Sequence, residues 1–460
     1  MRGSDLGRFR PLTRSARRAG TGLAGTVGVA TAVLALGAGV ASAKPLYQMV
    51  RSQFPAPVSI ADCQAELGIN CYTAPQIRHA YGVDQLGARG LTGRGKTIVI
   101  VDSFGSPTIQ SDLGTFDAQF GLPAPPSLKI LAPVGAIPPY DSTNPTVVGW
   151  AEETTLDVEI SHTIAPGANI LLVETPVAET EGVTGFPQIV EAENYVIDHH
   201  LGDVISQSFG ATEQTFQNAQ GQFDPQLIYG LRSAYLNAAI HGVTMLAGSG
   251  DTGATNYELD GESLYPNRVN SWPSSDPLVT SVGGTQLDLD QSGNRLAPDT
   301  VWNDGFGAGG GGVSAVFRRP FYQYGVSSVV GDARGTPDVS MSAAVNGGVW
   351  LYMSFAGIED PGVSDPGWYI FGGTSEASPL FAGEVAIADQ IAGHSLGLIN
   401  PSLYAIGDGP GSGLTDVTTG NNTFAGVTGY DAGPSYDLAS GLGTPNSRLP
   451  YDLARAGRRF

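Results

Sequence analysis

Short apolar runs that alternate with longer helical stretches restrict the folds open to this chain more than any other feature. The first run, residues 97–102, is apolar up to a final aspartate, as expected for a strand buried on both faces of a parallel sheet. Similar runs follow at residues 169–174, 203–208, 243–247 and 278–282. The pattern predicts an α/β protein with a mostly parallel central sheet.

Helices are predicted between these strands, at residues 152–164, 188–200 and 226–241. A strand, a helix and a second parallel strand form a right-handed crossover, and successive crossovers cover a sheet with helices. We therefore expect a doubly wound sheet with helices on both faces. Functional side chains in such sheets collect at the carboxyl ends of the strands.

The first 43 residues have the three parts of a secretory signal. Six arginines precede an apolar stretch at residues 24–40, and the stretch is followed by Ala41-Ser42-Ala43. An uncleaved membrane anchor is the alternative, and no later stretch is apolar enough to span a bilayer. We predict a signal peptide over residues 1–43, a short irregular lead-in over 44–73, and one domain over 74–460 that is secreted and stays out of the membrane.

The charge balance excludes one class of partner. The chain has 23 Lys and Arg against 43 Asp and Glu, a formal net charge of −20. Because nucleic-acid binding depends on clustered basic side chains, we expect no nucleic-acid partner, and we expect a monomer. The only two cysteines, Cys63 and Cys71, are expected to form a disulfide in an exported chain, rather than remain as free thiols.

The segment Gly372-Gly373-Thr374-Ser375, followed by Glu-Ala-Ser-Pro, is the strongest chemical signal. A strand at residues 368–371 reaches a glycine pair, turns, and starts a helix at Ser375. The hydroxyl then lies beside backbone N–H groups at a helix N-terminus, which can stabilise an oxyanion after attack. The alternative is a serine that only caps a helix.

A serine hydroxyl needs a base, and two carboxylates on the helix at 152–164 are suitable candidates. Glu153 and Asp157 are four residues apart, so they share one face of that helix. Two adjacent carboxyls repel when both are ionised and therefore tend to share a proton. Such a pair can act in acid, where a histidine is already protonated. The alternative is an ordinary solvated helix face.

Together these segments resemble the signature of the sedolisin family, the serine-carboxyl peptidases of the subtilase clan. The matching elements are the Glu153 to Asp157 pair, the Ala-Pro-Gly-Ala segment at 165–168, the Gly-Asp-Thr-Gly turn at 250–253 and the Gly-Thr-Ser segment. The resemblance implies a subtilisin-like fold and acid-active cleavage of proteins or peptides. It implies Ser375 as nucleophile, Glu153 and Asp157 as the acid pair, and Asp251 as oxyanion donor.

The resemblance extends to two further sites. Some sedolisins carry a carboxylate at the end of the first strand that bonds the triad aspartate, and Asp102 has that position here; a local turn is the alternative role. Sedolisins also bind one Ca²⁺ ion near the C-terminus. The corresponding ligands are the carboxylates and backbone carbonyls of five residues, namely Asp416, Val417, Gly433, Ser435 and Asp437.

Several alternatives remain open from the sequence. The cleavage mode is either endoproteolytic or tripeptidyl-peptidase. A catalytically silent binding protein on the same fold and a neutral subtilisin-type peptidase using His162 are the competing functions. Sedolisins usually have a folded pro-segment, whereas about 30 residues precede the family-like start near Tyr72 here. Either the domain folds without one, or the lead-in held by Cys63 and Cys71 replaces part of it.

Overall fold

The structure of this protein is a computed structural model that describes residues 47–359, 361–407 and 411–457. The predicted secretory signal, residues 1–43, lies outside the described residues. Within the described ranges, every helix is too short or too polar to cross a membrane.

The described ranges contain 18 strands and 12 α-helices. The strands are β1 (Gln48–Phe54), β2 (Cys71–Tyr72), β3 (Thr97–Ser103), β4 (Leu128–Leu131), β5 (Asn169–Thr175), β6 (Val204–Gln207), β7 (Ala211–Thr212), β8 (Thr244–Gly248), β9 (Ser271–Trp272), β10 (Thr280–Gln286), β11 (Thr300–Val301), β12 (Gly312–Arg318), β13 (Ala333–Thr336), β14 (Val339–Ser342), β15 (Gly348–Met353), β16 (Gly367–Gly372), β17 (Leu414–Thr415) and β18 (Thr444–Pro445). The helices are α1 (Ile60–Glu66), α2 (Ala74–Ala80), α3 (Val83–Gly87), α4 (Ile109–Phe120), α5 (Pro145–Ile164), α6 (Phe186–Asp198), α7 (Pro225–Leu231), α8 (Ser233–His241), α9 (Ser327–Val330), α10 (Thr374–Ala392), α11 (Asn400–Ile406) and α12 (Leu449–Ala456).

The main sheet has the strand order β11-β10-β8-β6-β3-β5-β4, with β14 beside β10. Its inner strand β3 pairs in parallel with β5 and β6, so that Val101 lies opposite Val173 on one side and Gln207 on the other. Only β11 pairs antiparallel within this sheet. The predicted α/β fold with a mostly parallel sheet is therefore confirmed.

Alternate side chains of β3 point into two separate cores. Ile98 and Ile100 belong to the larger core, which also contains most of the buried apolar side chains of α5 and α10. Val99 and Val101 belong to the second core, with α6 and α8. Because successive strand residues face opposite sides, one apolar strand supports helices on both faces. The helices that carry the predicted nucleophile and acid pair lie together on one face.

The predicted helix over residues 226–241 is interrupted. Arg232 leaves helical geometry between α7 and α8, with φ −79° and ψ 6°. Its guanidinium forms two hydrogen bonds to the buried carboxylate of Asp276, at 2.5 and 2.8 Å. This long-range ion pair has no counterpart in the local sequence pattern, which explains why the pattern missed the interruption.

The lead-in, expected to be irregular, contains β1, α1 and β2. A second, four-stranded sheet has the order β1-β16-β15-β2, so both lead-in strands form its edges. A disulfide joins Cys63 of α1 to Cys71 of β2. The segment is therefore part of the sheet whose inner strand β16 leads into α10.

Candidate active site

The predicted catalytic side chains lie at the carboxyl edge of the main sheet. Asp102 is near the end of β3, and Asp251 follows the end of β8. Ser375 is the second residue of α10, and Glu153 and Asp157 lie on α5, which packs against α10. All five side chains are at most 5% exposed. The fold brings together residues that are far apart in sequence.

The turn that presents Ser375 depends on Gly373. This residue has φ 125° and ψ 164°, a backbone conformation that residues other than glycine rarely adopt. The chain thereby passes from β16 into α10 within one residue. The helix is fixed on the sheet by a 2.8 Å hydrogen bond between the Ser378 and Ser206 hydroxyls. The Ser375 hydroxyl itself has no hydrogen-bond partner among the described residues.

Glu153 lies in a buried group of carboxyls that includes Asp157 and Asp102. Burial raises the pKa of Glu153 well above its ordinary value, and the charges of Asp157 and Asp102 raise it further. The nearby hydroxyl of Ser375 lowers this pKa. Neither Glu153 oxygen has a formed hydrogen bond in the described structure, so Ser375 and Glu153 face each other without a completed bond. Catalytic hydrogen bonds commonly tighten only when substrate binds.

Asp157 is held by a residue that the sequence analysis missed. The Ser208 hydroxyl, directly after β6, donates to Asp157 Oδ1 at 2.8 Å. Burial raises the pKa of Asp157 well above its ordinary value, the charge of Asp102 adds to this, and the Ser208 bond opposes it. The predicted strand at 203–208 ended at this serine, so its place at the carboxyl edge was the available signal.

Asp102 is the third member of this cluster of buried carboxyls. Burial raises the pKa of Asp102 to about 7, the nearby hydroxyl of Thr154 lowers it, and the charge of Glu174 raises it. Because three buried carboxyls raise one another's pKa values, the group retains protons at pH values where isolated carboxyls are ionised. Asp102 therefore acts on the acid pair through its charge, but neither of its oxygens forms a hydrogen bond to Asp157 in the described structure.

Asp251 is bound to the residue that precedes the nucleophile. Its Oδ1 accepts hydrogen bonds from the backbone N–H and the hydroxyl of Thr374, both at 2.8 Å. Burial raises the pKa of Asp251 to about 8, and the two Thr374 bonds lower it. Its Oδ2 has no hydrogen-bond partner among the described residues. Below this pKa, Oδ2 is the oxygen free to carry the proton and donate a hydrogen bond.

His162 does not join this group. Its Nε2 lies 3.1 Å from a carboxylate oxygen of Asp117 and 2.9 Å from the carbonyl of Pro123. The imidazole is completely buried in these contacts. His162 is therefore not placed to act as a base for Ser375.

The predicted calcium residues come together in one loop cluster. Asp416 Oδ2 accepts a 2.8 Å hydrogen bond from the N–H of Ser435, and the carboxylate of Asp437 accepts from the N–H of Gly433 at 2.9 Å. Val417 contributes its carbonyl to the same cluster, at 3.4 Å from the Ser440 hydroxyl. No group of three or more His, Cys, Asp or Glu side chains in the described ranges is placed to hold a metal ion. A cation here would therefore depend on carbonyl oxygens as well as the two carboxylates.

This donor set fits Ca²⁺ in kind, since carboxylate and carbonyl oxygens are the ligands that calcium prefers. The oxygens of Asp437 already accept hydrogen bonds from Gly433, Ala439 and Ser440, so only their remaining lone pairs are available. Ser435 has φ 64°, a left-handed conformation that favours glycine. The backbone therefore makes a tight turn at Ser435.

Comparisons with known proteins find relatives that are all peptidases of one kind by their names. No family model matches the chain. It is 32% identical to kumamolisin of Bacillus sp. (strain MN-32) over 383 residues, 81% of this chain and 62% of kumamolisin. It is 31% identical to tripeptidyl-peptidase 1 of Mus musculus over 320 residues, 64% of this chain and 50% of that enzyme. The chain spans about half the length of the curated relatives that it matches.

Among solved structures, the chain is similar to Pseudomonas sedolisin, described as a serine-carboxyl proteinase complexed with two molecules of pseudo-iodotyrostatin. The TM-score is 0.65 at 27% sequence identity, and the match covers 85% of this chain and 98% of that one.

Proposed function

This chain belongs to the sedolisin family of serine-carboxyl peptidases, and we propose that it is itself an acid-acting peptidase that hydrolyses proteins or peptides through Ser375. The observation that carries the proposal is the buried group around the nucleophile. It combines a hydroxyl at a helix N-terminus, a buried glutamate whose oxygens form no other hydrogen bond, and the carboxyl of Asp251, whose Oδ2 is free to carry a proton.

In the proposed mechanism, Glu153 takes the proton of Ser375 as its oxygen attacks the scissile carbonyl. The proton taken by Glu153 is then shared among Glu153, Asp157 and Asp102, and the hydrogen bond from Ser208 orients Asp157. The O–H on Oδ2 of Asp251 donates to the oxyanion, a role worth roughly 3–4 kcal/mol of barrier in other hydrolases. Glu153 then protonates the leaving amine, and water hydrolyses the acyl-enzyme by the same steps in reverse.

The pH range follows from these groups. Glu153 can act as a base only after one proton has left the cluster of Glu153, Asp157 and Asp102. Burial raises the pKa values of all three carboxyls. The acidic limb of activity should therefore lie above the ordinary carboxyl pKa of about 4. The donor form of Asp251 is lost as pH rises through its pKa of about 8. Activity is thus expected at acidic pH with a decline toward alkaline pH.

Substrate and setting are part of the proposal. Relatives include both kumamolisin and tripeptidyl-peptidase 1, so an endoproteolytic and a tripeptidyl-peptidase mode are both retained. We propose a secreted monomer that acts on unfolded proteins or peptides and has no nucleic-acid partner, in line with the signal-like N-terminus and the net charge of −20.

We also propose that one Ca²⁺ ion stabilises the C-terminal loops. Asp416 and Asp437 would provide carboxylate oxygens, and Val417, Gly433 and Ser435 would provide carbonyls. The ion would hold two loops together rather than take part in bond cleavage, because Asp251 and Ser375 lie in other segments.

The test is hydrolysis of an unfolded protein by the purified chain between pH 2 and pH 8, beside Ser375→Ala and Glu153→Gln. Both substitutions should abolish activity without changing the thermal unfolding temperature by more than a few degrees. If the folded, calcium-loaded chain cleaves nothing at any pH, a non-catalytic role on the same fold replaces this proposal.

A further inference from the structure

Helices α6 and α8 lie side by side and run in the same direction. The side-chain amide of Asn237 on α8 donates hydrogen bonds to Asn194 and Asp198 of α6, at 3.0 and 2.8 Å. Nearer the start of α8, the Ser233 hydroxyl accepts a 2.9 Å hydrogen bond from the Asn194 amide. Because these contacts advance together along both helices, the two C-termini end beside each other.

The two helices end in the same type of turn, but with a different residue at its left-handed position. In α8 this residue is Gly242, with φ 73°, and the N–H of Val243 bonds back to the helix. In α6 it is His200, with φ 51°, and the N–H of Leu201 bonds back in the same way. Glycine is the usual residue here, because a side chain is strained in this conformation. The turn alone therefore does not explain the imidazole of His200.

His200 lies beside His241, the last residue of α8. The centroids of the two rings are 5.7 Å apart, and the ring planes are inclined by 50°. Both residues are exposed. A metal ion bonded to one nitrogen of each of two imidazoles holds the ring centroids about 5–6 Å apart, because each bond is about 2.0–2.1 Å long. The pair therefore has the spacing of a two-histidine metal site.

A hydrogen bond determines which nitrogen of His241 is available to a metal ion. Its Nδ1 lies 3.0 Å from the backbone carbonyl of Asn237. Because a carbonyl oxygen only accepts, Nδ1 carries the hydrogen, and Nε2 of the neutral ring keeps its lone pair. Histidines that bind metal ions are commonly oriented in this way through their other nitrogen. The His200 ring forms no hydrogen bond to the described residues, so it can turn a nitrogen toward the same point.

The surroundings of the pair favour a cation. The C-terminal end of a helix carries a partial negative charge, and two such ends meet here. The exposed carboxylate of Asp198, in the last turn of α6, adds a negative charge, and Asn237 holds it between the helices. The neighbouring His199 is directed elsewhere, because its ring stacks on that of Tyr195 with centroids 4.0 Å apart.

We propose that His200 and His241 bind one divalent transition-metal ion, such as Zn²⁺ or Cu²⁺, between the ends of α6 and α8. Imidazole nitrogen suits these ions, whereas Ca²⁺ and Mg²⁺ prefer oxygen ligands. No group of three or more His, Cys, Asp or Glu side chains among the described residues is placed to hold a metal ion. With two protein ligands, water fills the remaining positions, and binding is weaker than at a structural zinc site with four side chains.

This pair lies away from the candidate active site. His200 precedes β6 and His241 precedes β8, so both are at the amino ends of strands in the main sheet, whereas Ser375 lies at the carboxyl edge. The ion is therefore structural. It ties α6 to α8 and stabilises the folded chain, because it binds the pair only where the two helices are packed together. The proposal does not depend on the peptidase function.

The test is a calorimetric titration of the purified chain with Zn²⁺ at pH 7.5. The chain is made without a histidine tag and kept in excess Ca²⁺, so that the C-terminal loop cluster is not available to Zn²⁺. One Zn²⁺ ion should bind per chain, and the unfolding temperature should be higher with Zn²⁺ than without it. Electron paramagnetic resonance of the chain loaded with one Cu²⁺ ion should show nitrogen ligands.

Two conservative substitutions remove one imidazole each. His200→Asn keeps a residue that tolerates the left-handed conformation, and His241→Gln keeps a polar side chain at the helix end. Each should weaken Zn²⁺ binding by at least the roughly 10–100-fold that loss of a supporting hydrogen bond costs at other metal sites. His394→Asn is the matched control at another exposed histidine, whose Nδ1 also contacts a backbone carbonyl, and should leave the affinity unchanged.

Each outcome decides for or against this pair. Binding of one Zn²⁺ ion that both His200→Asn and His241→Gln weaken, and His394→Asn does not, supports the proposal. Binding that either of the first two substitutions leaves unchanged overturns it, as does binding that His199→Ala weakens equally. A folded chain that binds no Zn²⁺ also overturns it. Since none of these measurements needs peptide cleavage, failure here and failure of the peptidase function are distinguishable.

Discussion

Asp251 and Thr374 are joined by two hydrogen bonds, from the N–H and the hydroxyl of Thr374 to the same carboxyl oxygen, both 2.8 Å long. The pair connects the turn after β8 to the residue before the nucleophile. Because Oδ1 accepts both bonds, the other oxygen is left for the proton and for the substrate. One residue therefore fixes the turn and is the oxyanion donor that we propose.

This arrangement predicts different effects for two substitutions of Asp251. Asp251→Asn keeps an acceptor for Thr374 and places an N–H₂ donor where the O–H lies, so activity should persist and extend to higher pH. Asp251→Ala removes the donor and should lower kcat by about 10²–10³-fold. The pH dependence of kcat/KM measures both effects. An Asn variant that declines with pH like the unaltered chain would contradict a titrating Asp251.

Ser208 is predicted to tune the acid pair through Asp157. Its hydrogen bond favours the ionised form of Asp157, so Ser208→Ala should raise the pKa of the coupled carboxyls and move the acidic limb of kcat to higher pH. Ser208→Thr keeps the hydroxyl and should restore the original limb. An unchanged limb in the Ala variant, with kcat lowered evenly at every pH, would indicate a purely structural role.

The sequence predicted the central fold well because its strands are specified locally. The predicted strand at 97–102 is found as Thr97–Ser103, and the one at 169–174 as Asn169–Thr175. A strand buried on both faces must be continuously apolar, so its pattern is visible without knowledge of its neighbours. β1 was missed because Gln48–Phe54 mixes polar and apolar residues and its partner β16 is more than 300 residues away.

The sequence named candidate site residues that the fold brings together, but it did not predict the contacts between them. The spacing of Glu153 and Asp157 placed both on one helix face, and the glycine pair placed Ser375 at a helix start. Ser208 could not be assigned, because its role depends on the approach of α5 to the end of β6. The two bonds from Thr374 to Asp251 likewise exist only after β8 and α10 pack together.

Buried carboxyls remote from the site predict that stability falls as pH rises. Burial raises the pKa values of Glu193 and Glu384 to about 8 each, and neither side chain has a hydrogen-bond partner in the described ranges. When the pKa of a carboxyl is higher in the folded state than in the unfolded state, its protonated form stabilises the fold. This contribution to the free energy of unfolding is fully present at pH values below the unfolded-state pKa of about 4. That stability is lost as pH approaches 8, on the order of 3 kcal/mol for each group by pH 7.

Thermal unfolding between pH 4 and pH 8 measures this effect. The unfolding temperature should fall with increasing pH, and Glu193→Gln or Glu384→Gln should make the fall shallower. The exposed Asp332→Asn is the matched control and should leave the slope unchanged. A stability that increases steadily from pH 4 to pH 8 would contradict the account.

Removal of calcium is predicted to destabilise the C-terminal loops without altering the chemistry of Ser375. A chelator should lower the unfolding temperature, and added Ca²⁺ should restore it, because an ion that binds only the folded state stabilises that state. Asp416→Asn should unfold at a lower temperature and no longer respond to the chelator. A chain whose unfolding is indifferent to both chelator and calcium would show that the loop cluster holds no ion.

The most direct test of the central claim is detection of an acyl group on Ser375. The chain is mixed with a peptide substrate at acidic pH, quenched in strong acid within milliseconds, and analysed by mass spectrometry for an adduct on the segment that contains Ser375. We predict an acyl adduct that accumulates in the unaltered chain and is absent from Ser375→Ala and Glu153→Gln. Peptide hydrolysis without any adduct on Ser375, or an adduct that forms equally in Glu153→Gln, would contradict the proposed mechanism.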